Sequence, residues 1–283
     1  MFDFKKAIED GKKDLDNSKL FLLLLGASGN GKSYVQGTFG CKVLYLYTKG
    51  EDHGPKSATR SAEASGLGTE IIPVRIDHDG TKELNADESL QRLHAILDDV
   101  AGIKAAGIGA LTLDSFSELE HLVRASRKFI AMTTTDAGKH NGFAEAGATL
   151  FQFKEIIGKL KRLQKEAKIH ICATEILTIK ELNDEGLILD SSPQLIGYSV
   201  ATGVVQQFDD IMIIGKMSKK DKIAYRLQLV AESGKMSKDA ITREVKKTFN
   251  FSPRLTGVDI LNLPSTLDAN LLELAKLKQG LKK

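Results

Sequence analysis

The sequence predicts an α/β fold, with a mainly parallel sheet flanked by helices. Three observations lead to this prediction. Short aliphatic runs recur along the chain, segments with apolar residues at helical spacing separate most of them, and no internal repeat is visible. Strands that alternate with helices usually pair in parallel, because a parallel pair needs a crossover connection. The chain has 283 residues, enough for one large domain with additions or for two modest ones.

Each predicted element rests on a local pattern. The aliphatic runs predict strands at residues 20–25, 43–47, 70–77, 108–115 and 168–176, then a strand pair at 210–216 and 223–232. Apolar residues at helical intervals predict helices at residues 33–39, 56–65, 87–106, 117–130 and 149–167. Pro73 in the third strand indicates an edge strand or a strand start.

Two stretches without any period are predicted to be long loops, at residues 132–147 and 178–203. We divide the chain into an N-terminal helix or arm (residues 1–18), a core (residues 19–250) and a C-terminal tail (residues 251–283). The tail ends in a predicted amphipathic helix at residues 267–281.

The composition argues against a membrane protein. The longest aliphatic run, at residues 20–25, is far too short to span a bilayer, and the charged N-terminus lacks the apolar core of a signal peptide. Cys41 and Cys172 fall next to or within predicted strands and have no metal-ligand spacing. We therefore expect reduced core cysteines in a cytoplasmic protein.

Charge is unevenly distributed along the chain. Residues 1–212 carry 25 Lys and Arg against 30 Asp and Glu, whereas residues 213–283 carry 15 against 7. Within the second part, residues 216–254 hold 11 basic residues and four acidic ones. This asymmetry is typical of a surface that faces a polyanion, but a solvated basic surface with a Lys-rich tail explains it equally well.

The most specific motif is GASGNGKS at residues 26–33, which fits the phosphate-binding loop pattern G-x-x-x-x-G-K-[ST]. An apolar run precedes it and a predicted helix follows, so we favour nucleotide binding over a glycine-rich turn. In such a loop the backbone N–H groups surround a phosphate, Lys32 reaches the outer phosphates during catalysis, and the Ser33 hydroxyl coordinates Mg²⁺. The expected nucleotide-binding residues are Gly26, Ala27, Ser28, Gly29, Asn30, Gly31, Lys32, Ser33 and Tyr34.

A loop of this kind needs a partner carboxylate at the end of a neighbouring buried strand. Asp114 follows the apolar run Ala110–Leu113, and we favour it as the metal-site carboxylate over a helix N-cap, which Ser115 could provide instead. Hydrolysis also needs a group that orients or deprotonates water. Glu51 follows the second strand and Glu118 is its rival. Glu175 lies at the end of the fifth predicted strand. It either senses the γ-phosphate or is an ordinary surface residue.

In this order the parts resemble the RecA-like ATPase core, and more closely the phage-encoded RecA-like ATP-binding proteins, some of which are single-strand annealing recombinases. The resemblance covers about residues 20–232. It is carried by the loop at residues 26–33, by Leu113-Asp114-Ser115 and by the spacing of the remaining parts. It implies ATP at the loop, Mg²⁺ coordinated through Ser33 and Asp114, and a catalytic glutamate at Glu51 or a neighbour. It also puts Glu175 where recombinases carry a glutamine that couples nucleotide state to DNA.

The resemblance implies partners as well. It suggests a ring or filament of identical subunits, single-stranded DNA, possibly a single-strand DNA-binding protein, and the host cytoplasm if the chain is phage-encoded. The predicted loops at residues 132–147 and 178–203 match regions that face DNA in recombinases, and Phe143 or Tyr198 could stack on bases. The basic residues 216–254 are the alternative DNA-binding surface. Two other functions stay open: a nucleotide switch that drives assembly without binding DNA, and a small-molecule kinase.

Overall fold

The computed structural model describes residues 19–135, 137–182, 188–219, 222–230 and 245–251. The predicted arm at residues 1–18 and the predicted helix at residues 267–281 lie outside these described residues. Among the helices that are described, none is long and apolar enough to cross a membrane.

Strands and helices alternate along most of the described chain. The strands are β1 (Phe21–Gly26), β2 (Lys42–Tyr47), β3 (Glu70–Arg75), β4 (Ala110–Asp114), β5 (His170–Leu182), β6 (Ile188–Pro193), β7 (Asp210–Lys219), β8 (Lys222–Val230) and β9 (Val245–Phe251). The helices are α1 (Lys32–Val35), α2 (His53–Ser65), α3 (Ala86–Asp98), α4 (Val100–Ala105), α5 (Phe116–Ala125), α6 (Arg127–Thr133), α7 (Gly142–Ala167) and α8 (Gly197–Val205). Short 3₁₀ turns occupy Gln36–Thr38 and Lys49–Glu51.

In the described part of the chain the strands form one sheet, in the order β3-β2-β4-β5-β1-β7-β8-β9, and β6 pairs with β5 off this path. The strands from β3 to β7 in this order are parallel, whereas β8 and β9 continue the sheet antiparallel. The predicted fold class, an α/β fold with a mainly parallel sheet flanked by helices, is therefore confirmed. The predicted strand pair after residue 210 is present and is antiparallel, and β3 with its Pro73 lies at the edge of the sheet.

Helices cover both faces of the sheet, which explains why β1 and β4 are buried at every position. On one face, Leu23, Leu25 and their neighbours pack against helices α3 to α8 in the larger core. On the other face, Leu22 and Leu24 belong to a smaller core beneath the segment that follows β1. The polar side chains at the carboxyl ends of the strands are thus held between two apolar layers.

Two of the predicted helices are each divided into two shorter helices. In both, a side chain in the middle of the predicted range caps the start of the second helix. The Asp99 carboxylate accepts a hydrogen bond from the Gly102 N–H and starts α4. The Ser126 hydroxyl accepts one from the Phe129 N–H and starts α6. Such caps satisfy N–H groups that the first turn of a helix leaves without partners.

The two predicted long loops were wrong. Only residues 134–141 separate α6 from α7, since the Asn141 side chain caps α7 and that helix begins at Gly142. At residues 178–203, β5 continues to Leu182, pairs antiparallel with β6, and α8 follows. The strand predicted to end at residue 176 therefore extends six residues further.

Candidate nucleotide-binding site

The predicted phosphate-binding loop connects β1 to α1. Gly31 precedes α1 with φ +89°, a left-handed conformation that residues with a Cβ rarely adopt. Ser28 and Gly29 lie exposed at the tip of the loop, whereas Asn30 is buried and its Nδ2 donates to the Ile214 carbonyl of β7 over 3.1 Å. The loop is thus anchored to the neighbouring strand, and its tip is exposed.

Lys32 lies beneath this loop. Its Nζ donates to the Gly26 carbonyl over 2.7 Å and to the Ala27 carbonyl over 3.3 Å. Burial lowers the pKa of the Lys32 amine, and the negative charges of Asp114, Glu51 and Glu175 oppose that shift. The same amine therefore faces all three predicted acidic site residues.

Asp114, at the end of β4, is buried and accepts three hydrogen bonds. The Ser33 hydroxyl donates to Oδ2 over 2.9 Å, the Tyr45 hydroxyl donates to the same oxygen, and the Thr174 hydroxyl donates to Oδ1. Burial raises the pKa of Tyr45 well above its usual range, and the neighbouring Asp114 charge adds to the shift. Tyr45 hence stays a hydrogen-bond donor, and the carboxylate is held toward the loop.

The two predicted metal ligands, Ser33 and Asp114, are therefore in direct contact. A hydroxyl oxygen and a carboxylate oxygen are ligands that Mg²⁺ prefers, so the residues present fit this ion. Among the described residues, no group of three or more His, Cys, Asp or Glu side chains could hold a metal.

Glu51 reaches the same place from the 3₁₀ turn after β2. The Ser115 hydroxyl donates to Glu51 Oε1 over 3.2 Å. Burial raises the pKa of Glu51 to about 7, and the Asp114 charge contributes to that shift. Glu118 also approaches this turn, since a Cβ added at Gly50 would come within 2.3 Å of its carboxylate. The structure thus brings both candidate water-activating residues together and gives Glu51 the contact to the Asp114 segment.

The contacts of Ser115 also answer whether Asp114 is a helix N-cap, the alternative role considered for it. The Ser115 side chain accepts a hydrogen bond from the Glu118 N–H and is the N-cap of α5. Asp114 is therefore not needed as a helix cap, and its carboxylate is free to contact Ser33.

Glu175 is fully buried, so the alternative of an ordinary surface residue was wrong. It lies within β5, level with Leu25 of β1, and not at a strand end. The Ser117 hydroxyl of α5 donates to Glu175 Oε1 over 2.6 Å, and Oε2 has no hydrogen-bond partner among the described residues. Burial raises the pKa of Glu175 to about 8, against the opposing effects of the Ser117 hydrogen bond and the Lys32 charge.

The helix α5, which contacts Glu175, carries a second buried carboxylate. Glu120 accepts hydrogen bonds from the Ile196 N–H, at 3.0 Å to Oε1 and 3.2 Å to Oε2, just before α8 begins. Burial raises the pKa of Glu120. Since Ser117 and Glu120 are both on α5, this helix contacts both Glu175 and the segment after β6.

Tyr45 and Ser117 were missed in the sequence. For Tyr45 a signal existed: it alternates with Leu44 and Leu46, so it lies on the opposite face of β2 from them, and that is the face of Asp114. Ser117 gave no local signal, because its partner Glu175 is 58 residues away. Tyr34 lies half-buried on α1, where partial burial raises the pKa of its hydroxyl.

No family model matches this chain, and no curated protein is similar to it. The geometry of the site therefore carries the functional argument.

Proposed function

We propose that this protein binds ATP together with Mg²⁺ and hydrolyses the γ-phosphate. One observation carries the proposal: the hydroxyl of Ser33, the last residue of the phosphate-binding motif, donates to the Asp114 carboxylate over 2.9 Å. A glycine-rich turn without a ligand has no need of a buried carboxylate against its final serine. The Lys32 amine beneath the loop supports the same proposal.

The residues of the site have separate roles in this proposal. The backbone N–H groups of the loop and the first turn of α1 bind the phosphates. The Lys32 amine donates hydrogen bonds to the Gly26 and Ala27 carbonyls in this structure. When the nucleotide binds, it turns toward the outer phosphates and neutralises their charge. Ser33 and Asp114 would hold Mg²⁺, which would supply positive charge against the negative charge that develops on the phosphates during transfer.

Glu51 is our candidate for the group that orients and deprotonates the attacking water. A pKa of about 7 suits a general base, because the carboxylate is partly ionised at neutral pH and still accepts a proton readily. The Ser115 hydroxyl fixes the orientation of the Glu51 carboxylate through the hydrogen bond at 3.2 Å. Glu118, across Gly50, is the second candidate for the same role.

We further propose a RecA-like ATPase that assembles with itself and acts on single-stranded DNA in recombination or replication. The order of parts in the sequence supports this proposal, as does the position of Glu175 on β5, the strand between those that carry the loop and Asp114. The contacts from Glu175 through α5 to Ile196 offer a route from the nucleotide to the segment after β6. A single-strand DNA-binding protein is a further candidate partner.

Steady-state ATP turnover, measured with and without single-stranded DNA, tests both steps. Turnover that requires Mg²⁺ and rises with DNA supports the complete proposal. Tight ATP binding without turnover would favour the nucleotide switch. Transfer of the γ-phosphate to an added small-molecule acceptor, and not to water, would favour the kinase. Failure to bind ATP at all would contradict the proposal at its first step.

A further inference from the structure

The turn that carries Glu51 is capped by a residue from a distant part of the chain. We call the 3₁₀ turn Lys49–Glu51 the Glu51 turn. Thr48 precedes it, but the Thr48 side chain makes no capping hydrogen bond, and its hydroxyl is buried without a partner among the described residues. The Lys49 N–H donates instead to Asp77 Oδ2 over 3.1 Å. Asp77 thus satisfies an N–H group at the start of the turn, which a local N-cap side chain usually does.

Asp77 is fixed on its other side by Arg75, the last residue of β3. Arg75 Nε donates to Asp77 Oδ1 over 2.8 Å, and only 21% of the Arg75 side chain and 16% of the Asp77 side chain are exposed. The main chain is held as well, because the Leu84 N–H donates to the Asp77 carbonyl over 2.9 Å. Each carboxylate oxygen of Asp77 therefore has its own donor, and hydrogen bonds to a charged group are stronger than neutral ones.

A second contact to the Glu51 turn is an exposed ion pair. Lys49 Nζ lies 2.7 Å from Glu83 Oε1, but 62% of the Lys49 side chain and 61% of the Glu83 side chain are exposed. Arg75 reaches the same oxygen over 3.3 Å. Exposed pairs of this kind contribute little to stability, because water screens the charges and two long side chains lose their freedom. Asp77 is therefore the residue that holds the turn, and Glu83 provides a matched control.

The other end of the Glu51 turn lies in the candidate site. The Ser115 hydroxyl donates to Glu51 Oε1 over 3.2 Å, so the turn is held at its first residue by Asp77 and at its last by the segment after β4. A general base must stay within hydrogen-bond reach of the water it activates, and a displacement of about 1 Å can cost about a hundredfold in rate. Release of the turn from Asp77 would therefore affect the Glu51 carboxylate.

The sheet separates Asp77 from the phosphate-binding loop. Asp77 follows β3 and the loop follows β1, while β4, β5 and β2 lie between these two strands. Loss of the contact between Asp77 and Lys49 should therefore impair water activation and leave nucleotide binding unchanged. A residue that only supports the site as a whole would affect both.

We propose that Asp77, held by Arg75, is a positioning residue that fixes the Glu51 turn for water activation. It touches neither the nucleotide nor the attacking water, and it acts through Glu51. This inference rests on the proposed function and identifies the part of the chain that orients its candidate base.

Steady-state kinetics and nucleotide titration of three variants test the inference. Asp77→Ala removes the acceptor, so we expect kcat to fall about tenfold or more, while the Kd of a fluorescent ATP analogue changes by less than about twofold. Asp77→Asn keeps one acceptor oxygen for the Lys49 N–H and should restore most of the kcat. Glu83→Ala removes only the exposed ion pair and should behave like the parent. Parental kcat in Asp77→Ala, an equal loss of nucleotide affinity, or no recovery in Asp77→Asn would overturn the inference.

A double-variant cycle tests whether Asp77 acts through Glu51. Glu51→Gln removes the base, so Asp77→Ala added to it should lower kcat no further. Losses that multiply would overturn the inference, and so would parental turnover in the Glu51→Gln protein. Circular dichroism checks that each variant is folded.

Amide hydrogen exchange reports on the Glu51 turn without any need for turnover. The Lys49 amide should exchange about tenfold faster in Asp77→Ala than in the parent and keep its protection in Glu83→Ala, because only the first variant loses its acceptor. Equal exchange in all three proteins would overturn the inference. A parent protein that does not hydrolyse ATP would contradict the proposed function instead, and the two failures are distinguishable because this exchange does not depend on nucleotide.

Discussion

At the scale of single residues, Asp114 determines the geometry of the site. Hydroxyl groups from α1, β2 and β5 all donate to its two oxygens. Several hydrogen-bond donors fix a carboxylate in one orientation, which is what a metal-site ligand requires. One side chain at the end of β4 thus links the phosphate-binding loop to two neighbouring strands.

Asp114→Asn separates the metal role of this residue from its structural role. The amide keeps the size of the carboxylate but removes its charge, so we expect nucleotide affinity to fall in Mg²⁺ and to change little in EDTA. Titration with a fluorescent ATP analogue under both conditions measures the difference. An equal loss of affinity with and without the metal would show that Asp114 is structural only.

Lys32→Ala tests the phosphate contact. Loss of a charge-assisted hydrogen bond to phosphate should weaken ATP binding by about ten- to a hundredfold and abolish turnover, with the fold intact by circular dichroism. Lys56→Ala is the control, since Lys56 lies exposed on α2. Turnover at the parental rate in the Lys32→Ala protein would mean that the loop has been misassigned.

Glu175 predicts how stability depends on pH. Burial raises its pKa from 4.5 to about 8, so the folded state binds this proton more tightly than the unfolded state. The folded state therefore loses stability as pH rises from about 4.5 to about 8. Glu175→Gln keeps an acceptor for Ser117 and removes the titration, so its Tm advantage over the parent should grow by several degrees between pH 5 and pH 8. Glu63→Gln, at an exposed position, should show no such trend.

At the scale of elements, the close approach of α2 to the site restricts which residues the segment after β2 can contain. A Cβ added at Gly54 would lie 2.6 Å from both Asp114 Oδ2 and the Tyr45 hydroxyl. α2 can therefore pack against the carboxyl end of β4 only because its second residue has no side chain. The acidic turn with Glu51 is positioned by that packing.

Gly54→Ala should consequently disturb Asp114 without touching the nucleotide loop. We expect a loss of about 1–3 kcal/mol in the free energy of unfolding, as for other overpacked sites, together with weaker Mg²⁺-dependent ATP binding. Gly142→Ala is the matched control, because Gly142 begins α7 with open space around it. If both variants unfold at the same urea concentration, the close approach at Gly54 has no energetic consequence.

The elements show what the sequence could and could not predict. β1, the loop and β4 were predictable, because aliphatic runs and the phosphate-loop spacing are local signals. The start of α7 was missed although Asn141 and the alanines after it are a capping and helix-forming signal, because the glycines there favour a loop. The extension of β5 was missed because it depends on pairing with β6, which is not local. The burial of Glu175 follows from that extension and from α5, so no nearby residue could indicate it.

At the scale of the whole molecule, the corrected elements change where DNA contact is expected. The two stretches predicted as loops are largely ordered as a helix start, a strand pair and α8. Phe143 remains fully exposed at the start of α7, whereas Tyr198 falls within α8. The basic residues 216–254, with 11 Lys and Arg against four Asp and Glu, stay the alternative candidate for DNA contact.

Reversing four of these lysines tests that surface directly. In a variant with Lys219, Lys220, Lys246 and Lys247 changed to Glu, single-stranded DNA affinity at low salt with ATP should fall. Because each lost phosphate contact removes about 0.7 from the slope of log affinity against log salt, the slope should decrease by up to about 3. The control variant carries the same change at Lys56, Arg60, Lys104 and Lys168, which are exposed elsewhere. The two variants have the same net charge. A loss of DNA affinity confined to the first variant would therefore show that the positions of the changed residues matter, and not the overall charge. Equal affinity in both variants and the parent would remove the DNA surface from residues 216–254 and favour the nucleotide switch or the kinase.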